Sequence, residues 1–183
     1  MKGQFFLIGA LLIVLMLYIG IAPLLSPSHI GPEIGEDISN MFENIEMEYP
    51  RAFNLGLVSS SAEQKLVNFS SFIAEEASER SVTLSSLWLI TQNVSDNLNI
   101  TVGNFLGYNT SVTLNVSGTV NTLYVEDSKI NSTVFSSPPS EFQLIVNFNT
   151  TESNLLLEKY KANFYSVLEI RKGTDKIVGE IKA

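Results

Sequence analysis

Seven asparagines stand in the pattern Asn-x-Ser/Thr: Asn68, Asn93, Asn99, Asn109, Asn115, Asn131 and Asn149. A side-chain amide two residues ahead of a hydroxyl is the acceptor for N-linked sugar. The Asn and Ser/Thr content would supply roughly three such triplets by chance, so the excess points to an extracellular, sugar-bearing surface. The competing explanation is a strand-rich chain that favours Asn and Thr at turns and solvent-facing positions. If the sites are used, the sheet face bearing Asn99 and Asn115 must be open to solvent.

Other reactive groups are sparse. Cysteine is absent, so disulfides, thiolate metal sites and cysteine nucleophiles are all excluded. The single histidine, His29, sits in a linker, far from any β domain that a catalytic base would serve. No His pair with a Glu offers a zinc site, and no glycine-rich loop leads from a strand into a helix to cradle phosphate. Glu126, Asp127 and Glu141 fall at strand ends, where paired carboxylates would do glycosidase chemistry but turn placement explains them more simply. Trp88, Phe105 and Tyr108 would suit a sugar-stacking platform, although a core position for the only Trp is the simpler reading. These features point away from an enzyme, and no cofactor and no metal are expected. The net charge of −8, with the eleven Lys and Arg scattered, also argues against a nucleic-acid partner.

What must position the asparagines begins with an anchor. Phe5–Ala22 carries no charge, and as a helix it would rise roughly 27 Å, close to the hydrocarbon thickness of a bilayer. Lys2 precedes it, while the next charges beyond it are the acids Glu33, Glu36, Asp37 and Glu43. Positive residues favour the cytoplasmic side, so the N-terminus is expected inside and the remainder outside a single-pass cell-membrane protein. A cleaved secretory signal is the alternative. The apolar run exceeds the usual signal length, and Pro23 follows the small residues Gly20 and Ala22, which favours a retained anchor.

Lys2-Gly3-Gln4, followed directly by the apolar run, resembles the class III signal of archaeal type IV pilin-like proteins. The resemblance covers about the first two dozen residues. It implies cleavage between Gly3 and Gln4 by a membrane peptidase, with the helix from Gln4 onward retained and able to pack against copies of itself in a filament. The sequence departs from the common pattern at Ile8, where many such subunits carry a glutamate.

Three regions follow. Residues 1–25 form the transmembrane anchor and class III-like signal. Residues 26–80 form a linker and a helical pair, and residues 81–183 form an extracellular antiparallel β domain. In the second region, Ile34, Ile38, Met41, Phe42 and Ile45 recur at helical spacing between Glu36, Asp37, Glu43, Glu46 and Glu48, an amphipathic helix with a solvated acidic face. Pro50 is expected to end or kink it near Tyr49. Asn54–Ser59, with Gly56 as breaker, then reads as a connection. Ser60 and Glu63 have capping-box spacing for a second helix, with Leu66, Phe69, Phe72, Ile73 and Ala77 as its apolar stripe.

From Leu84 the period becomes alternating. Strands are expected at 87–91, 98–102, 112–116, 120–125, 130–135, 142–148, 162–170 and 176–181, the last two as a hairpin around Gly173-Thr174-Asp175. The fold class is α+β: an N-terminal transmembrane helix, two amphipathic helices, then an antiparallel β-sandwich-like domain. Whether the helices cover a sheet or stand apart as a stalk is left open. The expected function is that of a membrane-anchored extracellular surface protein, a pilin-like subunit for filament assembly or adhesion. The alternative is a static anchored β-domain binding module. The expected partners are membrane lipid, copies of itself, or other cell-surface proteins.

Overall fold

A computed structural model describes residues 34–183. The anchor, the Gly3-Gln4 junction and His29 lie outside the described residues. Among the described residues no helix is long and apolar enough to cross a membrane. Two helices, α1 (Ile34–Val58) and α2 (Ala62–Glu79), precede nine strands. These are β1 (Thr83–Val94), β2 (Asn97–Phe105), β3 (Thr110–Val116), β4 (Thr119–Val125), β5 (Lys129–Phe135), β6 (Glu141–Phe148), β7 (Thr151–Glu158), β8 (Asn163–Lys172) and β9 (Asp175–Lys182).

The strands form two sheets, with orders β5-β2-β1-β8-β9 and β4-β3-β6-β7, and every pairing is antiparallel. The unit Ile34–Ala183 has three layers, because the central sheet is apolar on both faces and must be covered twice. One core lies between the sheets, built from Leu87, Leu89, Ile100, Val112, Leu114, Val146 and their neighbours. The other lies between the five-stranded sheet and the helices, built from Ile38, Tyr49, Phe53, Leu66, Trp88, Leu168 and their neighbours. The helices therefore cover a sheet and belong to one compact unit with it, Ile34–Ala183. Double burial explains why Leu87-Trp88-Leu89-Ile90 is an unbroken apolar run: each of the four is at most 1% exposed.

Four local expectations are corrected. Pro50 does not end the first helix, and α1 continues to Val58 with Pro50 inside it. Tyr49 and Phe53 are both buried against the sheet, where they stack on Phe164 at 5.5 and 5.6 Å. Burial of two such rings contributes roughly 1.5–3 kcal/mol each, enough to offset the hydrogen bond that proline forfeits. Gly56 is not a breaker. A Cβ there would stand 2.4 Å from Ala62 Cα, so glycine is what lets α2 start against the end of α1. The capping box is also absent: Ser61, not Ser60, is the N-cap and makes no side-chain capping bond, its Oγ meeting Ser59 Oγ instead, and the Glu63 carboxylate accepts from Thr101 Oγ1 at 2.7 Å. Phe72, expected in the apolar stripe, is 57% exposed; the serine at position 70 takes the buried place.

That serine belongs to a polar lock between helices and sheet. The Tyr49 hydroxyl bonds Ser70 Oγ and Ser86 Oγ, both at 2.9 Å, and Trp88 Nε1 donates to Ser70 Oγ at 3.0 Å. Burial raises the Tyr49 pKa above its ordinary value, with the two serine bonds opposing. Replacing Tyr49 by Phe keeps the ring but leaves the buried Ser86 hydroxyl without a partner and Ser70 with Trp88 alone. A loss of about 1–3 kcal/mol in urea unfolding is expected, and a change below about 0.5 kcal/mol would show that the lock contributes nothing.

Candidate glycosylation and binding surface

The chain order sends the turns to two ends of the sandwich. The β2–β3, β4–β5, β6–β7 and β8–β9 turns share one end with the start of α1, where Asp37 pairs with Lys172. The β1–β2, β3–β4, β5–β6 and β7–β8 connections share the other.

None of the seven sequon asparagines is fully buried, but their amides are used differently. Asn109 is committed at both ends of its amide: Nδ2 donates to the Tyr124 hydroxyl at 2.9 Å and Oδ1 accepts from Asp127 N–H at 2.9 Å. Asn131 Nδ2 donates to the Tyr124 carbonyl and its Oδ1 accepts from Ser132 N–H. Asn149 Nδ2 donates to the Tyr108 hydroxyl at 2.6 Å. These three tie turns together, as the structural explanation of the motif requires. Asn68 accepts from Gln64 Nε2 on the exposed side of α2, but its sequon hydroxyl, Ser70, is the one held in the core. Asn93 is half-buried, with its Oδ1 enclosed and unbonded. Asn99 is half-buried on the helix-bearing face beside Gln92 and Val134, and its sequon hydroxyl, Thr101, is 1% exposed. Asn115 stands on the outer face of the four-stranded sheet, half-buried like Asn93 and Asn99, its Oδ1 accepting from Gly118 N–H at 2.8 Å.

The end with the β2–β3 turn gathers a cluster that the sequence pattern did not announce. Tyr108 and Tyr124 are 48% and 56% exposed, each steadied by one of the asparagines just named. Beneath them Asn104 is fully buried. Its Nδ2 donates to the Tyr108 and Val125 carbonyls at 2.8 and 3.0 Å, and its Oδ1 accepts from Leu106 N–H. Asp127 Oδ1 accepts from Gly107 N–H at 2.8 Å. Exposed tyrosines on braced turns offer large amphipathic contact area at little cost in side-chain freedom. Only the alternation break at Asn104, a polar residue in line with Leu98, Ile100 and Val102, hinted at this arrangement.

The carboxylates do not converge. Glu126 and Asp127 lie at that end, while Glu141 begins β6 at the other; a strand of that length separates them by roughly 20 Å. The aromatic platform is not formed either. Trp88 is fully buried against Phe105, ring centroids 6.5 Å apart, and Tyr108 alone of the three reaches solvent. Among the described residues no group of three or more His, Asp or Glu is placed to hold a metal ion.

A cleft of about 380 Å³ opens between β7 and β8–β9, lined by Leu89, Leu155, Leu157, Tyr165 and Lys182 among others. Beside it the Tyr165 hydroxyl bonds Ser153 Oγ at 2.5 Å and Glu180 Oε1 at 3.1 Å, and Ser153 donates to Glu180 at 2.8 Å. This network fastens the edge strand β7 to the other sheet. Three carboxylates sit below their usual range. Asp37 is lowered by its hydrogen bond and charge contact with Lys172, and Glu180 by the Lys182 ammonium. For Glu169, burial raises the pKa, but bonds from Lys176 and Arg171 outweigh it. A carboxylate depressed in the folded state adds stability above its unfolded pKa, about 4, and loses it as pH falls through the folded value. Burial raises Tyr165 and Tyr49, so the folded state resists their ionisation and loses stability as pH climbs past about 10. The melting temperature is therefore expected to be highest between these limits, falling below pH 4 and above pH 10. A flat profile down to pH 2 would contradict the carboxylate assignments.

A scan of protein-family models and a search of curated proteins found no match to this chain.

Proposed function

We propose that this chain is a membrane-anchored surface protein that displays the helix-covered β sandwich outside the cell. The uncharged run Phe5–Ala22, with Lys2 before it and acids after it, carries this reading. A segment of that length and composition is a membrane-spanning helix by its transfer energetics. The outward positions of the described unit fit the same reading. On β3 and β4 they are Ser111, Thr113, Asn115, Val120, Thr122 and Tyr124, uncharged and rich in hydroxyl and amide groups.

On the pilin-like reading, a membrane peptidase cuts between Gly3 and Gln4, and the retained helix packs with copies of itself as a filament subunit. The braced tyrosines favour a second reading, in which the chain is a static anchored module that binds a partner through Tyr108 and Tyr124. N-terminal sequencing and intact mass of the protein from its native membrane separate the two. A start at Gln4 is the result that the pilin-like reading requires. A start at Met1 or Lys2 removes that reading and leaves the anchored binding module.

A further inference from the structure

We infer that Asn115 is the principal glycan acceptor of this chain, a modification that rests on the exported location proposed above. Transfer requires an amide nitrogen free to react, a sequon hydroxyl within reach, and space for a sugar. Asn115 meets all three. Its Oδ1 is occupied by Gly118 N–H, which fixes the amide, while among the described residues nothing bonds its Nδ2. Its sequon hydroxyl, Ser117, is exposed on the two-residue β3–β4 turn, where Ser117 and Gly118 have φ of 49° and 94°. Among the described residues no element covers the outer face of the four-stranded sheet.

Five of the other six fail one requirement. Asn109, Asn131 and Asn149 have committed their amide nitrogens. Asn68 and Asn99 depend on Ser70 and Thr101, both buried and hydrogen-bonded. Asn93 comes nearest, with an exposed Ser95 and a nitrogen that nothing among the described residues bonds. Its Oδ1, however, is enclosed and unbonded, which holds that side of the amide against the protein, whereas Asn115 Oδ1 is satisfied at the turn.

The surroundings of Asn115 also gain from a sugar. Its cross-strand neighbours are Val120, 55% exposed, and Ile145. The outward positions of β3 and β4 carry no charge, and charges are what usually keep such sheets from associating. A glycan at Asn115 would roof the two aliphatic residues and keep this face solvated.

The donor is a lipid-phosphate-linked oligosaccharide. Nδ2 attacks the anomeric carbon, and the new N–C bond forms as the bond from that carbon to the phosphate oxygen breaks. The lipid phosphate leaves with the electron pair, and the Nδ2 proton passes to a base of the transferase.

The test is glycopeptide mapping of the full chain from its native membrane, alongside Asn115→Gln and Ser117→Ala variants. The sidedness of the domain is read separately by protease treatment of intact cells. Higher occupancy at Asn115 than at each of the other six sequons, with loss of one glycan mass in both variants, is expected. Equal or higher occupancy at another sequon overturns the inference, as does a bare Asn115 on a domain that protease reaches from outside. Both results leave the exported location standing. A bare Asn115 on a domain that protease cannot reach overturns the inference and the exported location together.

Discussion

Gly103→Ala is expected to destabilise the domain by about 3 kcal/mol, the upper part of the range for overpacking a filled core. The added Cβ would stand 2.2 and 2.3 Å from two atoms of the Trp88 indole, closer than carbon atoms approach. Trp88 faces Gly103 directly across the β1–β2 ladder. Its indole cannot swing aside, because Nε1 is tied to Ser70 Oγ and Phe105 stacks beside it. The change therefore forces either a shift of the sheet or loss of the buried hydrogen bond. Urea unfolding measures the loss, and the Trp88 fluorescence gives a second reading at the site itself. A companion variant, Trp88→Phe with Gly103→Ala, should recover part of the stability, since a smaller ring leaves room for the methyl. A Gly103→Ala protein as stable as the parent would mean that the indole is not packed as described.

Deleting residues 1–25 is expected to move the protein completely from the membrane fraction to the soluble fraction while the β domain keeps its fold. The described helices and sheets form one compact unit beginning at Ile34, and the residues of both cores named above lie within it. The deletion removes none of the described side chains in either core. Circular dichroism and the urea midpoint should match the full chain in detergent, while carbonate extraction should release the truncated form entirely. Continued sedimentation of the folded, truncated form with membranes would assign membrane binding to the domain and not to the anchor.

Much of the fold was legible because the strands alternate cleanly. Phe142, Leu144, Val146 and Phe148 point into one core two residues apart, and Ser117-Gly118 marks the β3–β4 hairpin by residue type alone. What was missed depended on contacts distant in sequence. β7 escaped because its first half, Thr151 to Asn154, is polar and its second half is a leucine run, so no alternation appears. The buried position of Ser153 is explained only by Tyr165 and Glu180 on the other sheet. Phe72 was read into the apolar stripe and Ser70 was not, yet the hydrogen bonds from Tyr49 and Trp88 bury Ser70 and leave Phe72 exposed. Pro50 looked like a terminus because the aromatic stacking that carries α1 past it involves Phe164, more than a hundred residues away.

The sequons illustrate the same limit at the candidate site. All seven read alike in sequence, since the motif specifies three residues and nothing about their partners. Folding divides them. Tyr108 and Tyr124 take three of the amides, Asn115 keeps its nitrogen free, and Ser70 and Thr101 withdraw their hydroxyls into the protein.

The central claim, a β domain held outside the cell by an N-terminal anchor, is tested most directly by labelling a single introduced cysteine. The chain has none of its own, so Thr174→Cys, in the exposed β8–β9 turn, gives one thiol and no background. Intact cells are treated with a membrane-impermeant maleimide, and the membrane fraction is then washed with carbonate. The account predicts full labelling without lysis, on a protein that stays in the membrane pellet. Labelling only after lysis, or release of the labelled protein by carbonate, would contradict it.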